Sequence, residues 1–177
     1  MMRIPTFLPT PGASRMQAKH MMTRHPAFVL PGDSVARAAE LLRDLRIGSV
    51  PVVADAESQR IVGILTDRDL AVRCVARAHD GHCTVTEHMT PVPLATVTEM
   101  ASATAVVDRM AEASVRRILV TNEDGTRLVG IIAQADVARL LGPTEPIKVE
   151  YLLETLSKPS RAAAPSRQPQ PASPAFH

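Results

Sequence analysis

The stretch that decides the fold is Ile61–Leu70, which reads Ile-Val-Gly-Ile-Leu-Thr-Asp-Arg-Asp-Leu. Its apolar first half is typical of a buried strand, and Thr66 marks the point at which a helix is expected to begin. A matching stretch, Leu-Val-Gly-Ile-Ile-Ala-Gln-Ala-Asp-Val, occupies Leu128–Val137. Both copies carry glycine at the third position and aspartate at the ninth. The chain therefore contains a repeated strand-to-helix junction.

The residues around the two junctions repeat as well. Met22-Thr23 precedes the first junction as Met89-Thr90 precedes the second, and Ser34 and Ser102 each open an amphipathic helix. β-branched residues such as those at 50–53 then predict a strand before each junction. Each unit is therefore predicted to follow the order β-α-β-β-α.

Three local predictions concern the first unit. A strand is expected at Ala27–Leu30, and a helix at Asp67–Ala76. Another helix is expected from Ser34 to Arg46, with its apolar residues on one face. The opposite face is interpreted as solvated rather than as a binding patch, and it carries Arg37, Glu40, Arg43, Asp44 and Arg46.

A unit of roughly 60 residues is only marginally stable by itself. We therefore expect an α+β (α/β) fold in which the two repeats pack sheet to sheet about a pseudo-two-fold axis, which creates two equivalent clefts. The predicted boundaries are a flexible leader at 1–15, a first repeat at 16–78, a connector at 79–83, a second repeat at 84–142, a C-terminal helix at 143–157 and a disordered tail at 158–177.

The predicted C-terminal helix carries an apolar stripe of Val149, Leu152, Leu153 and Leu156. Such a stripe needs a partner surface. Homodimerisation is one way to bury it, and folding back onto the chain's own repeats is the other.

Composition excludes several functions. The 177 residues carry a net charge of +2 and only 2% aromatics, which disfavours both duplex binding and a base-stacking surface. No apolar run approaches the ~18 residues of a membrane span, so no membrane partner is expected and a cytoplasmic location is predicted. No nucleophile is paired with a base, so we predict no enzyme activity and no catalytic residues.

One cluster in the sequence offers side chains that can bind a metal ion. His79, His82 and Cys83 supply three possible ligands within a connector, but the sequence shows no second group nearby, and structural zinc usually takes four. The expectation is therefore no metal site. Cys74 and Cys83 are expected to remain thiols.

The repeat resembles a tandem cystathionine-β-synthase-type (CBS) domain pair, or Bateman module, of the stand-alone bacterial class. The resemblance covers about Met16 to Leu141 and rests on several motifs: Met22-Thr23, Met89-Thr90, Ser34, Ser102, 50–53, 63–69 and 130–136.

The resemblance implies a regulatory module that binds an adenosine-type ligand between its repeats: AMP, ADP, ATP, S-adenosylmethionine or NAD. No resident cofactor is implied. In the family the junction aspartate holds the ribose, which corresponds to Asp69 and Asp136, and the hydroxyl of Thr66 assists. Adenine sits against apolar strand residues in the family, which correspond to Val50 and Pro51, and the first strand of the other repeat closes the pocket.

These residues are divided between the two junctions. Thr66 and Asp69 lack a neighbouring cation, while Asp136 follows Arg117 but has Ala133 in place of the hydroxyl residue. The loss at Ala133 is expected to remove the helix cap as well, and the division disfavours phosphate-rich ligands such as ATP. We expect binding to depend first on Thr66 and Asp69. Each residue also has a simpler role: capping for the first pair, and an exposed strand-edge arginine for Arg117.

A different class of function remains open. The chain would then be a ligand-free dimeric scaffold that recruits an unknown protein partner through its C-terminal helix and tail.

Overall fold

The computed structural model describes residues 16–79 and 82–157, so the predicted leader and tail lie outside the described residues. The first half contains α1 (Ala18–Met21), β1 (Thr23–Arg24), α2 (Val35–Asp44), β2 (Ser49–Val53), β3 (Ile61–Thr66) and α3 (Asp67–Asp69). The second half contains α4 (Val85–His88), β4 (Thr90–Pro91), β5 (Thr96–Thr98), α5 (Ala103–Glu112), β6 (Arg117–Thr121), β7 (Leu128–Ala133), α6 (Gln134–Leu141) and α7 (Pro146–Ser157).

The two long helices that precede the junctions begin as predicted. The Ser34 hydroxyl accepts a hydrogen bond from the Arg37 amide, and the Ser102 hydroxyl accepts one from Ala105, each at 3.2 Å. These bonds satisfy amides that have no partner within the helix. Within residues 16–79 and 82–157, none of the helices is long and apolar enough to cross a membrane.

The strands form two sheets, with the orders β1-β7-β6-β5 and β2-β3-β4. The short β1 pairs antiparallel with β7, so that Thr23 lies opposite Ile131. In the same way β4 pairs with β3, with Thr90 opposite Ile64. Each repeat therefore lends its opening strand to the sheet of the other repeat, an exchange that the sequence did not predict.

The helices α1 and α4 follow the same exchange. The Ala18 amide donates to the carbonyl of Ala101, and the Val85 amide donates to that of Asp33, both at 2.8 Å. Glycine in the strand of the other unit makes room for the exchanged segment: a side chain at Gly130 would collide with Met22. Gly63 stands in the same relation to Met89. We refer below to the first unit (25–79 with 82–91) and the second unit (16–24 with 92–157).

The two sheets pack against each other, as predicted for this fold class. Val53 of the first unit and Leu119 and Leu128 of the second are 0%, 1% and 3% exposed within one shared apolar cluster. Partly buried residues from both sheets complete the cluster: Phe28, Leu30, Ile61, Ile64, Leu94 and Ile131. Burial of these apolar side chains holds the units together, since each large side chain that is fully buried contributes about 1.5–3 kcal/mol.

Two local predictions for the first unit were wrong in detail. Ala27–Leu30 makes an isolated bridge from Val29 to Val52 rather than a strand. The helix expected at Asp67–Ala76 is α3 followed by a π-helical turn at Leu70–Cys74 and a 3-10 turn at Val75–Arg77. Apolar periodicity does not distinguish these variants from an α-helix.

The C-terminal helix α7 folds back onto its own chain. Leu152 is fully buried in the core of the second unit, together with Val106 and Met110 of α5. Lys148, whose side chain is only 3% exposed, donates from Nζ to Thr104 Oγ1 at 2.9 Å. Val149, Leu152 and Leu156 of the apolar stripe are thus buried within the chain, as the intramolecular alternative predicted, while Leu153 is 40% exposed.

Candidate ligand-binding site

A cavity of about 450 Å³ lies between the two units, at the junction of β7 and α6. Three segments enclose it: the chain after β1, the turn from α2 into β2, and the strand ends around the second junction. The lining residues are Thr23, His25, Pro26, Ala27, Leu45, Arg46, Ile47, Gly48, Ser49, Pro51, Arg117, Ile131, Ala133 and Asp136.

The strand exchange assembles this cavity. Because Thr23 pairs with Ile131 of β7, the chain that leaves β1 passes directly over the second junction. Within the second unit, β6 places Arg117 opposite Ala133, so the arginine lies beside the start of α6. The first unit contributes Pro51 from β2. No single repeat contains all of these residues.

Basic groups dominate the charge of the cavity wall. Arg117 is half-buried, while Arg46 and His25 are exposed at its edge. His25 and Arg46 have positive φ values of 46° and 53°. Non-glycine residues in this region are uncommon and cluster at functional sites. No pattern in the sequence indicated His25. Arg46 was interpreted as part of a solvated helix face, but it follows the end of α2.

Asp136 lies at the start of α6 and keeps part of its hydrogen-bonding capacity. Its Oδ2 accepts a bond from the Ala133 amide at 3.0 Å, and its Oδ1 lies 3.3 Å from Arg139 Nη2. The expectation that Ala133 abolishes the cap was therefore half wrong, since this return bond from the N-cap amide needs no side chain at position 133. A carboxylate accepts about four hydrogen bonds, and the Asp136 side chain is 26% exposed, so acceptor sites remain available.

Arg117 reaches across to the first unit. An ideal Cβ placed on Gly48 would lie 3.2 Å from both Arg117 Cζ and Asp67 Oδ2. The absence of a side chain at Gly48 thus lets the guanidinium approach the turn that leads into β2. Arg117 is not the exposed strand-edge arginine of the simpler interpretation.

The first junction is organised differently, because its polar groups already have partners. Thr66 donates to Asp69 Oδ2 from its hydroxyl at 2.7 Å and from its amide at 3.0 Å. Arg73 lies 3.4 Å from the other carboxylate oxygen, and the Asp69 side chain is 13% exposed. The same arginine donates to the carbonyls of His88 and Met89, each at 2.9 Å.

Three of the predicted site residues, Pro51, Arg117 and Asp136, line the cavity. The other three do not. Val50 is fully buried in the core of the first unit, and Thr66 and Asp69 lie in the network at the first junction. The structure therefore brings together Pro51, Arg117 and Asp136, a group that includes the arginine but not the hydroxyl of Thr66.

Comparison with known proteins places this geometry in a family. The model for the CBS domain matches residues 18–75 and 85–143. An uncharacterized protein of Bacillus subtilis (strain 168), YlbB, is 36% identical over 120 residues, which cover 68% of this chain and 78% of that protein.

Two solved structures extend the comparison. Hypoxic Response Protein I, solved with two coordinated zinc ions, is 32% identical with a TM-score of 0.63, over 71% of this chain and 99% of that one. CBSX2, solved in complex with AMP, is 26% identical with a TM-score of 0.58, over 70% of this chain and 94% of that one.

Proposed function

Because the chain belongs to the CBS-domain family, we propose that it is a regulatory module that binds AMP in the cavity between its two units. The observation that carries this proposal is the meeting of Arg117, Asp136 and Pro51 in one cavity. Its volume of about 450 Å³ falls in the range of roughly 300–1,000 Å³ that is usual for small-molecule sites. The AMP complex of CBSX2 supports the choice of ligand.

The ribose is assigned to Asp136. A vicinal diol donates two hydrogen bonds, and a carboxylate with unused lone pairs can accept both. Asp136 is held at the cavity wall by the Ala133 amide, so its orientation is set before the ligand arrives. Such preorganisation reduces the entropic cost of binding.

The phosphate is assigned to Arg117, with Arg46 as the second cation at the edge of the cavity. Guanidinium groups suit phosphate because they donate two parallel hydrogen bonds. Asp67 and Asp136 lie in the same region and repel additional negative charge. This balance favours a monophosphate over ATP.

The adenine ring is assigned to the apolar part of the wall. Leu45 and Ile47 are 51% and 37% exposed although both are large and aliphatic. Together with Pro26 and Ile131 they offer an apolar surface that a flat base would cover. Covering it removes apolar area from water, which favours binding by about 25 cal/mol for each Å².

The first junction is not expected to bind a ligand. Asp69 accepts two hydrogen bonds from Thr66 in addition to its pair with Arg73, and its side chain is 13% exposed against 26% for Asp136, so a ribose would have to displace protein contacts there. The proposal therefore specifies one AMP per chain.

Isothermal titration calorimetry tests this function on the full chain. We expect AMP to bind with a stoichiometry near one and more tightly than ADP, ATP, NAD or S-adenosylmethionine. Absence of binding and of any melting shift at millimolar AMP would refute the proposal. That result would favour the ligand-free scaffold instead.

Regulation requires that AMP favour one arrangement of the module over another, because a ligand shifts an equilibrium only by its differential affinity. The predicted homodimer is the arrangement we propose to be affected. Val72 and Val75, three residues apart after α3, support it because they are 53% and 72% exposed. Light scattering with and without AMP measures this directly, and a monomer under both conditions would contradict it.

A further inference from the structure

A second cluster of side chains lies where the helical segment after α3 meets α4, away from the residues that line the cavity. Cys74 ends the π-helical turn, Cys83 precedes α4, and His88 is the last residue of α4. Their three ligand atoms all lie within 4.8 Å of one another. Cys74 belongs to the first repeat in the sequence and His88 to the second, and the strand exchange brings them together.

His88 is the residue that needs an explanation. It is only 2% exposed, and among the residues that the structure describes neither Nδ1 nor Nε2 has a hydrogen-bond partner. Buried polar groups in native proteins are nearly always satisfied, and an unsatisfied one points to a bound ion or water. The sulfur atoms of Cys74 and Cys83 lie beside this imidazole, which selects a metal rather than water.

We propose that Cys74, Cys83 and His88 bind a zinc ion. Two thiolates and an imidazole match the ligand preference of Zn²⁺, which is usually tetrahedral in structural sites. His79 is a candidate for the fourth position: its ring centroid lies 5.3 Å from that of His88, and it is exposed on the connector. The proposal is independent of AMP binding.

The sequence did not predict this metal site, because His79, His82 and Cys83 lie in a connector and no second group of ligands is close to them in the sequence. The fold supplies that group from two other elements. Cys74 lies in a π-helical turn, a conformation that recurs at functional sites.

A bound zinc would stabilise the strand exchange between the two repeats. It would join the helical segment of the first repeat to α4, which the second repeat contributes. The His88 carbonyl accepts from Arg73, and Arg73 pairs with Asp69. Metal binding would therefore fix the position of the arginine that occupies the first junction.

Metal binding is tested on the reduced, metal-free full chain. We expect one Zn²⁺ per chain, a rise in melting temperature on adding zinc, and, with Co²⁺ as a probe, the visible bands of a tetrahedral site and a thiolate charge-transfer band. Failure of this wild-type protein to bind zinc at micromolar concentration overturns the proposal. So does a Co²⁺ spectrum that lacks the thiolate band.

Variants locate the site. Cys83→Ser changes a half-buried residue and is expected to weaken zinc binding by more than the roughly 10- to 100-fold that loss of a supporting residue costs. His88→Ala is expected to lose zinc while keeping the wild-type far-UV circular dichroism spectrum, which shows that it folds. The matched control is His20→Ala, an exposed histidine in α1, with unchanged zinc affinity. Zinc affinity unchanged in Cys83→Ser contradicts the assignment.

Discussion

Replacing Asp136 by asparagine tests the proposed nucleotide site with little disturbance of the fold. The amide oxygen of asparagine can still accept the bond from the Ala133 amide, so the start of α6 is retained. The ion pair with Arg139 is lost, but Arg139 is 69% exposed, and such surface pairs contribute about 0–1 kcal/mol. The change therefore removes mainly the charge that faces the cavity.

The expected loss of affinity follows from the hydrogen bonds assigned to the ribose. A hydrogen bond to a charged group contributes about 1.5–3 kcal/mol, and every 1.4 kcal/mol is a factor of ten in affinity. We therefore expect Asp136→Asn to bind AMP about 10- to 140-fold more weakly. Calorimetric titration with AMP, at one salt concentration for all proteins, measures this change.

The matched control is Asp69→Asn, because Asp69 occupies the equivalent position at the first junction. Its carboxylate is engaged by Thr66 and Arg73, so this variant is expected to lose stability and to keep its affinity for AMP within about twofold. If Asp69→Asn instead loses affinity while Asp136→Asn retains it, the assignment of the ligand to the second junction is wrong.

Three further predictions concern charge. Arg117→Gln is expected to weaken AMP binding at least tenfold while leaving adenosine binding nearly unchanged, because only AMP carries the phosphate; titration with both ligands checks this. Lys148→Met leaves the buried carboxylate of Glu145, which lies 3.3 Å from Lys148 Nζ, without its cation. The variant is therefore expected to lose about 3–5 kcal/mol of unfolding free energy, measured in urea. A second change, Glu145→Gln, is expected to restore most of that loss. Burial, followed by the charge of Glu112, raises the pKa of Asp108, so its contribution to stability is greatest below the ordinary carboxyl pKa and is lost as pH rises through the raised value. Asp108→Asn is therefore expected to flatten this pH dependence and to stabilise the chain at pH 7 by less than about 1 kcal/mol, and no difference between the two pH profiles contradicts it.

The local architecture was predictable because it depends on short-range patterns. Apolar periodicity and the serine caps located α2 and α5, and the repeated junction indicated β3 and β7. The marginal stability of a single repeat predicted the sheet-to-sheet arrangement, which the shared cluster around Leu119 confirms. These features follow from which residues must be buried.

The pairing of β1 and β4 was not predictable in the same way. Each is two residues long, and its partner lies many residues away in the other repeat, so no local pattern indicates the exchange. His25 and Arg46 reach the cavity because of this strand exchange or because of backbone turns with positive φ, and neither is visible in a local sequence pattern. The meeting of Cys74 with His88 has the same origin.

The exchanged segments also have a consequence for how the chain is synthesised. Residues 16–24 are synthesised about a hundred residues before their partner strand, Leu128–Ala133. Translation proceeds at about 5–20 residues each second, so α1 and β1 wait several seconds for the surface that they cover. The first unit likewise lacks β4 until Pro91 has been added. Folding during synthesis thus cannot finish one repeat before the next begins, and α1 and β1 should gain protection from proteolysis only after Leu128–Ala133 has been made.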